Sequence, residues 1–165
     1  MTAYDPAQWA PLAAAVVGAA AALTGLIFVS ISLNLAEILV QPGLPERALE
    51  TLIILVGVLV ASALVLFPDA DSTNLGWALL VLGAGLGLWV AVIHRGARSR
   101  IVAQYRGYYW QAFVSNEGTP VLLVIAGLAT LSQAFGGLLW LGIADLFGIT
   151  VGVVNAWVLL VEIKR

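Results

Sequence analysis

From Trp9 to Leu39 the chain runs for about 30 residues in which Glu37 is the only charged side chain. A run of that length and apolarity belongs either in the core of a large protein or in a bilayer, whose hydrocarbon about 20 residues of helix already cross. With 165 residues, 62% of them hydrophobic and 10% charged, the chain has no polar shell in which to bury such a run. Five helical spans at about 20 residues each call for about 100 apolar positions, which this composition supplies almost without remainder. The mean hydropathy of +1.04 points the same way. The expected fold class is therefore all-α, a polytopic transmembrane helical bundle forming a single domain over residues 1–165.

The spans are read from their punctuation. Asp5 and Pro6 suit the N-cap and first turn of the first span, residues 9–39, and Gln41-Pro42-Gly43-Leu44-Pro45 ends it. No Lys or Arg precedes this block and its apolar core is long, so it reads as a retained span and not as a signal peptide. A second span covers residues 49–67 and stops at Pro68. A third covers 74–94 behind the capping cluster Ser72-Thr73-Asn74. Residues 95–117 are polar and aromatic and are expected along the membrane interface. Thr119 as cap and Pro120 in the first turn open a fourth span over 120–135, with a re-entrant hairpin as its alternative because the segment is short. Gly136-Gly137 leads to a fifth span over 138–163.

Charge sets the orientation. With the N-terminus outside, Arg47, Arg95, Arg98, Arg100, Arg106, Lys164 and Arg165 all fall on the cytoplasmic side, which accounts for all seven cations of the chain. The C-terminus is then cytoplasmic, and a multi-pass protein of the inner (plasma) membrane is expected. Arg98, Arg100 and Arg106 with Tyr105, Tyr109 and Trp110 make the interfacial segment a candidate contact for lipid or a protein partner. Nucleic acid is a poor fit so close to lipid.

Several polar residues lie within the apolar blocks, where they are expensive and usually face a cavity or another helix. Asp145 lies roughly 10 Å in from the outer boundary, and Gly148, Gly152 and Asn155 share its face of the helix. Ser30, Asn34 and Glu37 form a second stripe on the first span, at about the depth of Asn155. The two stripes are candidates for a polar path through the membrane or for interhelical hydrogen bonds. Glu46, Arg47 and Glu50 read as helix-end charges reaching water, and His94 as an interfacial residue. Small residues at four-residue spacing, Ala14-Gly18-Ala22, Gly83-Gly87 and Gly148-Gly152-Ala156, form seams for close helix packing, at least one of them open to joining subunits.

Chemistry is constrained by what is missing. The chain has no cysteine and one histidine, which excludes a disulfide framework and thiolate metal or cluster sites. No HExxH, P-loop or strand-borne GxGxxG motif occurs, and no Ser, His and Asp fall at one depth. No catalytic residue, cofactor or metal site is expected, and the chain is not read as an enzyme. Without internal repeats, an inverted-repeat transporter is disfavoured. Two functions remain: a homo-oligomer with ion channel or pore activity, and an accessory or regulatory subunit of a larger membrane complex.

The segment Gly25-Leu26-Ile27-Phe28-Val29-Ser30-Ile31-Ser32-Leu33-Asn34-Leu35, followed by Arg47-Ala48-Leu49-Glu50 and a glycine-bearing span ending in Pro68, resembles a group of small, uncharacterised integral membrane proteins of actinobacterial type. The likeness covers about the first 70 residues. It implies a bacterial inner-membrane location and imports no activity.

Overall fold

The computed structural model describes residues 2–41, 43–68, 70–98 and 106–163, with side chains at 3–41, 43–68, 70–95, 116–159 and 161. The described residues are all helical or in connections, with six α-helices: α1 (Pro6–Leu33), α2 (Leu35–Val40), α3 (Leu44–Val65), α4 (Ser72–Arg98), α5 (Arg106–Leu131) and α6 (Leu139–Ile163). Four of these contain stretches long and apolar enough to cross a membrane: Pro6–Leu33, Leu44–Val65, Ser72–Arg95 and Leu139–Leu159. The apolar part of α5, Asn116–Leu131, is shorter.

Helix α1 starts as its sequence predicts, with Asp5 Oδ1 accepting from the Ala7 amide at 3.0 Å and Pro6 in the first turn. It does not run unbroken to Leu39. Asn34 turns its side-chain amide back onto the Ser30 carbonyl at 2.8 Å, in competition with the backbone ladder, and its own φ of −116° leaves the helical region. The chain re-enters a helix at once as α2, set off from α1 by this single residue.

The larger departure is at α5. Instead of opening at Thr119 and Pro120, this helix begins at Arg106 and carries Pro120 inside it. Proline in a membrane helix is tolerated where neighbouring helices compensate the backbone, and Pro120 removes the amide that would have bonded the Asn116 carbonyl. Residues 95–117 are thus in part the end of α4 and the start of α5, and residues 99–105 lie outside the described residues.

Helices α3 to α6 pack antiparallel in a common register, which glycines make close. A Cβ added at Gly83 would lie 2.8 Å from the Val124 amide and 2.9 Å from the Pro120 carbonyl, and one at Gly127 would lie 2.7 Å from the Leu80 amide, so α4 and α5 touch backbone to backbone. In the same way Gly148 faces Val58 and Thr119, and a Cβ added at Gly152 would lie 2.7 Å from the Leu55 side chain, seating α6 against α3 and α5. The main apolar core joins Ala61, Val65, Leu79, Leu123, Leu138 and Ala144, with Ala13 of α1 at its edge. Lacking a hydrophobic force in lipid, helices associate by this kind of close packing and by polar contacts.

Helix α1 differs. It lays Val16 and Ala20 on Val58, but Ala14, Gly18 and Ala22 point away from the bundle, and nothing lies within 4 Å of a Cβ added at Gly18 or Gly25. The N-terminal turn closes over the end of the bundle that carries the α5–α6 turn: the Ala3 carbonyl accepts from the Leu138 amide at 2.8 Å, and the Tyr4 hydroxyl accepts from the Gly136 amide at 3.2 Å. The α5–α6 turn needs the left-handed region at Gly136 and Gly137, where φ is +91° and +51°.

Candidate intramembrane polar site

The four closely packed helices converge on one carboxylate. Glu50, in the second turn of α3, is 3% exposed and accepts from two helices at once. His94 Nδ1 of α4 lies 2.9 Å from Glu50 Oε1, and Asn116 Nδ2 of α5 donates to Glu50 Oε2 at 2.7 Å. Asn155 Nδ2 of α6 donates to Asn116 Oδ1 at 2.9 Å. The donors therefore run Asn155 to Asn116 to Glu50, with His94 closing from the other side, and one side chain from each of α3, α4, α5 and α6 takes part. His94 Nδ1 also lies 3.1 Å from the Val90 carbonyl, so this nitrogen carries the proton that points at Glu50. His94 and Asn116 are 6% and 2% exposed.

Glu117 joins the rim of this cluster. It lies within electrostatic reach of both His94 and Glu50, and its Oε2 would stand 3.4 Å from a Cβ at Gly87, so the missing side chain of α4 makes its room. Its Oε1 is buried with no hydrogen-bond partner. Among the described residues no three His, Asp or Glu side chains converge as a metal-ligand set.

A second buried carboxyl lies toward the opposite end of the bundle, nearer the α5–α6 turn. Asp145 of α6 is 2% exposed and its Oδ2 accepts from the Ser62 hydroxyl of α3 at 2.7 Å, while Oδ1 has no partner. Ser62 is twelve residues along α3 from Glu50, which at 1.5 Å per residue separates the two carboxyls by about 18 Å along the bundle. Between them lies Thr119, 1% exposed, whose hydroxyl is also unpartnered. Thr130, further along α5, shares this, whereas Thr24, Thr51 and Thr150 close their hydroxyls onto the carbonyl four residues back.

The residues singled out from sequence divide accordingly. Asp145 and Asn155 are both buried or half-buried in the bundle and both bridge to other helices, though to different ones. Ser30 and Asn34 do not meet Asn155. The Asn34 amide is spent on its own helix, and Ser30 borders an apolar groove of about 280 Å³ beside Ile38 and Trp157. Glu37 is exposed on α2. The side chains of Arg98, Arg106, Tyr109 and Trp110, and residues Arg100 and Tyr105 entirely, lie outside the described residues. Two readings are corrected by burial. Glu50 is not a helix-end charge in water and His94 does not face outward, because the register of α3 on α4 turns both into the bundle toward each other. Asn116 and Glu117, assigned to the interfacial segment from sequence, lie on α5 and complete the site.

Comparison with protein families, with curated proteins and with solved structures found no match for this chain.

Proposed function

We propose that this chain is a five-span protein of the bacterial inner membrane, N-terminus outside and C-terminus cytoplasmic, that assembles as a homo-oligomer and passes a small cation, the proton included, through the polar interior of its bundle. The observation that carries this reading is the Glu50–His94–Asn116–Asn155 network. Interhelical adhesion alone is met more cheaply by hydroxyls and amides. An ionisable pair within a span is expensive and usually belongs to an ion or proton pathway. The carboxylate and imidazole exchange one proton between them while each keeps a partner, and the two asparagines hold the carboxylate in place without titrating.

The fifth crossing is supported by register: helix α5 runs beside α4 from Gly87, near Glu117 and Pro120, to Gly76, near Gly127 and Leu131. The orientation rests on the seven cations. On this topology Arg98, Arg100, Arg106, Tyr105, Tyr109 and Trp110 lie at the inner face, where anionic headgroups would meet them. Assembly is supported by the outward Ala14-Gly18-Ala22 seam of α1, a surface of the kind on which membrane helices pair.

The same seam favours a second reading, an accessory subunit of a larger membrane complex, with α1 against a different protein. Native mass spectrometry after mild extraction separates the two, as a discrete homo-oligomer or as a complex with a foreign chain. The conduction reading is tested in liposomes loaded with cation-sensitive dyes. Wild-type protein is expected to pass a cation down an imposed gradient, and Glu50→Gln and His94→Gln to lose that flux. Absence of flux from folded wild-type protein would overturn the reading.

A further inference from the structure

The geometry points to Asp145 with Ser62 as a second, outer proton-binding site of the same core, which exchanges protons with the Glu50–His94 centre by way of the Thr119 hydroxyl. This deepens the conduction reading and rests on it, by naming the carried species and the outer end of its route.

Three observations converge. Asp145 is a fully enclosed carboxyl with one oxygen held by Ser62 and the other, Oδ1, buried with no partner at all. An orphaned buried carboxyl oxygen is rare in a finished structure and calls for a visiting partner. Thr119 is the second such atom: its hydroxyl declines the usual bond within its own helix and remains buried and free. It stands over Gly148, where a Cβ would meet first a Val58 methyl and then Thr119 Cγ2 and Oγ1 at 3.0 and 3.1 Å, so the absence of a side chain lets α3 and α5 close on α6 at the level of this hydroxyl. Gly148 lies one turn from Asp145 on α6, and Thr119 lies one turn from Asn116 on α5. Glu117 Oε1 is another such atom and sits at the inner end of this series, beside His94 and Glu50. Of the four unpartnered buried oxygens among the described residues, Thr119 Oγ1 lies between Asp145 Oδ1 and Glu117 Oε1, while Thr130 Oγ1 lies eleven residues further along α5 and outside this series.

A hydroxyl both donates and accepts, so Thr119 can pass a proton on one lone pair while releasing its own, with no net change in its own charge. Bridging waters, which polar interior sites of this kind admit, would complete the hydrogen-bonded row. The surroundings of Asp145 leave the proton as its natural ligand. From α3 it meets Ser62, and α1 carries no charged residue along its length. The nearest ionisable group on α5 is Glu117, whose carboxyl lies toward Gly87 of α4. Among the described residues no second carboxylate and no histidine adjoins Asp145 to build a metal site.

The test is proton uptake into proteoliposomes carrying an internal pH-sensitive dye, run beside potassium and sodium flux on the same vesicles. Wild type is expected to take up protons. Asp145→Asn is expected to slow uptake by about a hundredfold, the scale on which a positioned proton acceptor acts. Thr119→Val is expected to slow it similarly, and Thr24→Val, whose hydroxyl is closed on α1, to leave it unchanged. Because Asp145→Asn can fail by misfolding, Ser62→Ala, which keeps the carboxyl, and Asp145→Glu, which restores it, are measured with it. Partial rescue by Asp145→Glu in monodisperse protein supports the assignment. Normal uptake in Asp145→Asn with uptake lost in Glu50→Gln overturns the outer site and leaves the conduction reading standing. Flux of potassium or sodium without protons overturns the proton as cargo and again leaves conduction. No flux of any cation overturns both.

Discussion

Replacing Asn116 with leucine removes the residue through which three helices speak to one another. The amide gives one bond to Glu50 and takes one from Asn155, at 2.7 and 2.9 Å, and leucine of similar volume makes neither. Interhelical hydrogen bonds in membrane proteins average about 0.6 kcal/mol and reach about 1.7, so losing two costs about 1 to 3 kcal/mol. Breaking a buried charged pair in a soluble protein costs about 3 to 5 kcal/mol. The lower range governs here because Glu50 keeps His94 as a donor, and because chains unfolded within a membrane or micelle find other partners. The expected loss is about 2 kcal/mol, read by reversible unfolding in mixed micelles with tryptophan fluorescence. Combined with Asn155→Leu the cost should rise little further, since the bond between the two is already gone, and the cycle should return a coupling of about 1 kcal/mol. Strict additivity of the two substitutions, within the roughly 0.3 to 0.5 kcal/mol seen for independent sites, would refute the chain of bonds.

Three further outcomes follow from packing. Gly83→Ala should destabilise the protein by about 1 to 3 kcal/mol, because its Cβ meets backbone atoms of α5 that have no room to yield, whereas Gly85→Ala, with open space around it, should be neutral or mildly stabilising; thermal unfolding in detergent compares the two. Gly137→Ala should loosen the α5–α6 turn by about 1 to 2 kcal/mol, since the residue has a φ of +51° and its Cβ would press on Tyr4 and the Ala3 carbonyl; faster amide exchange at Leu138 reports it. Gly18→Leu, on the outward seam of α1, should leave the fold's melting temperature unchanged and dissociate the homo-oligomer, as read by native mass spectrometry.

The helical class and the four long apolar helices were legible because lipid leaves so few options: apolar length, terminal Pro and Gly, and capping residues such as Asp5 suffice. The continuity of α5 was not, because Pro120 reads locally as a helix start, and only packing against Gly83 and Gly87 explains why the helix runs through it. The break at Asn34 was hidden for the opposite reason. The surrounding run is uniformly apolar, and a single side-chain bond to Ser30 decides it. Half the site was within reach. Asp145 and Asn155 stand out on α6 because they share a face with Gly148 and Gly152. The same extension applied to α4 carries the Gly83-Gly87 stripe one and then two turns further to Val90 and His94, and on α3 it carries Gly57 back through Ile54 to Glu50. What no helical wheel supplies is which stripes face each other. That depends on the antiparallel registers, which bring Glu50 level with His94 and Asn116 and leave Asn34 facing elsewhere.

The central claim is that the bundle interior at Glu50 conducts. Electrical recording of purified protein in planar bilayers tests it most directly, with wild type, Glu50→Gln and Gly18→Leu measured side by side. The account predicts a cation-selective current in wild type that Glu50→Gln reduces by at least about tenfold, the equivalent of about 1.4 kcal/mol on the barrier. Gly18→Leu should keep its current per chain. A current that Glu50→Gln leaves intact and Gly18→Leu abolishes would contradict the account, and would place conduction at the seam between subunits.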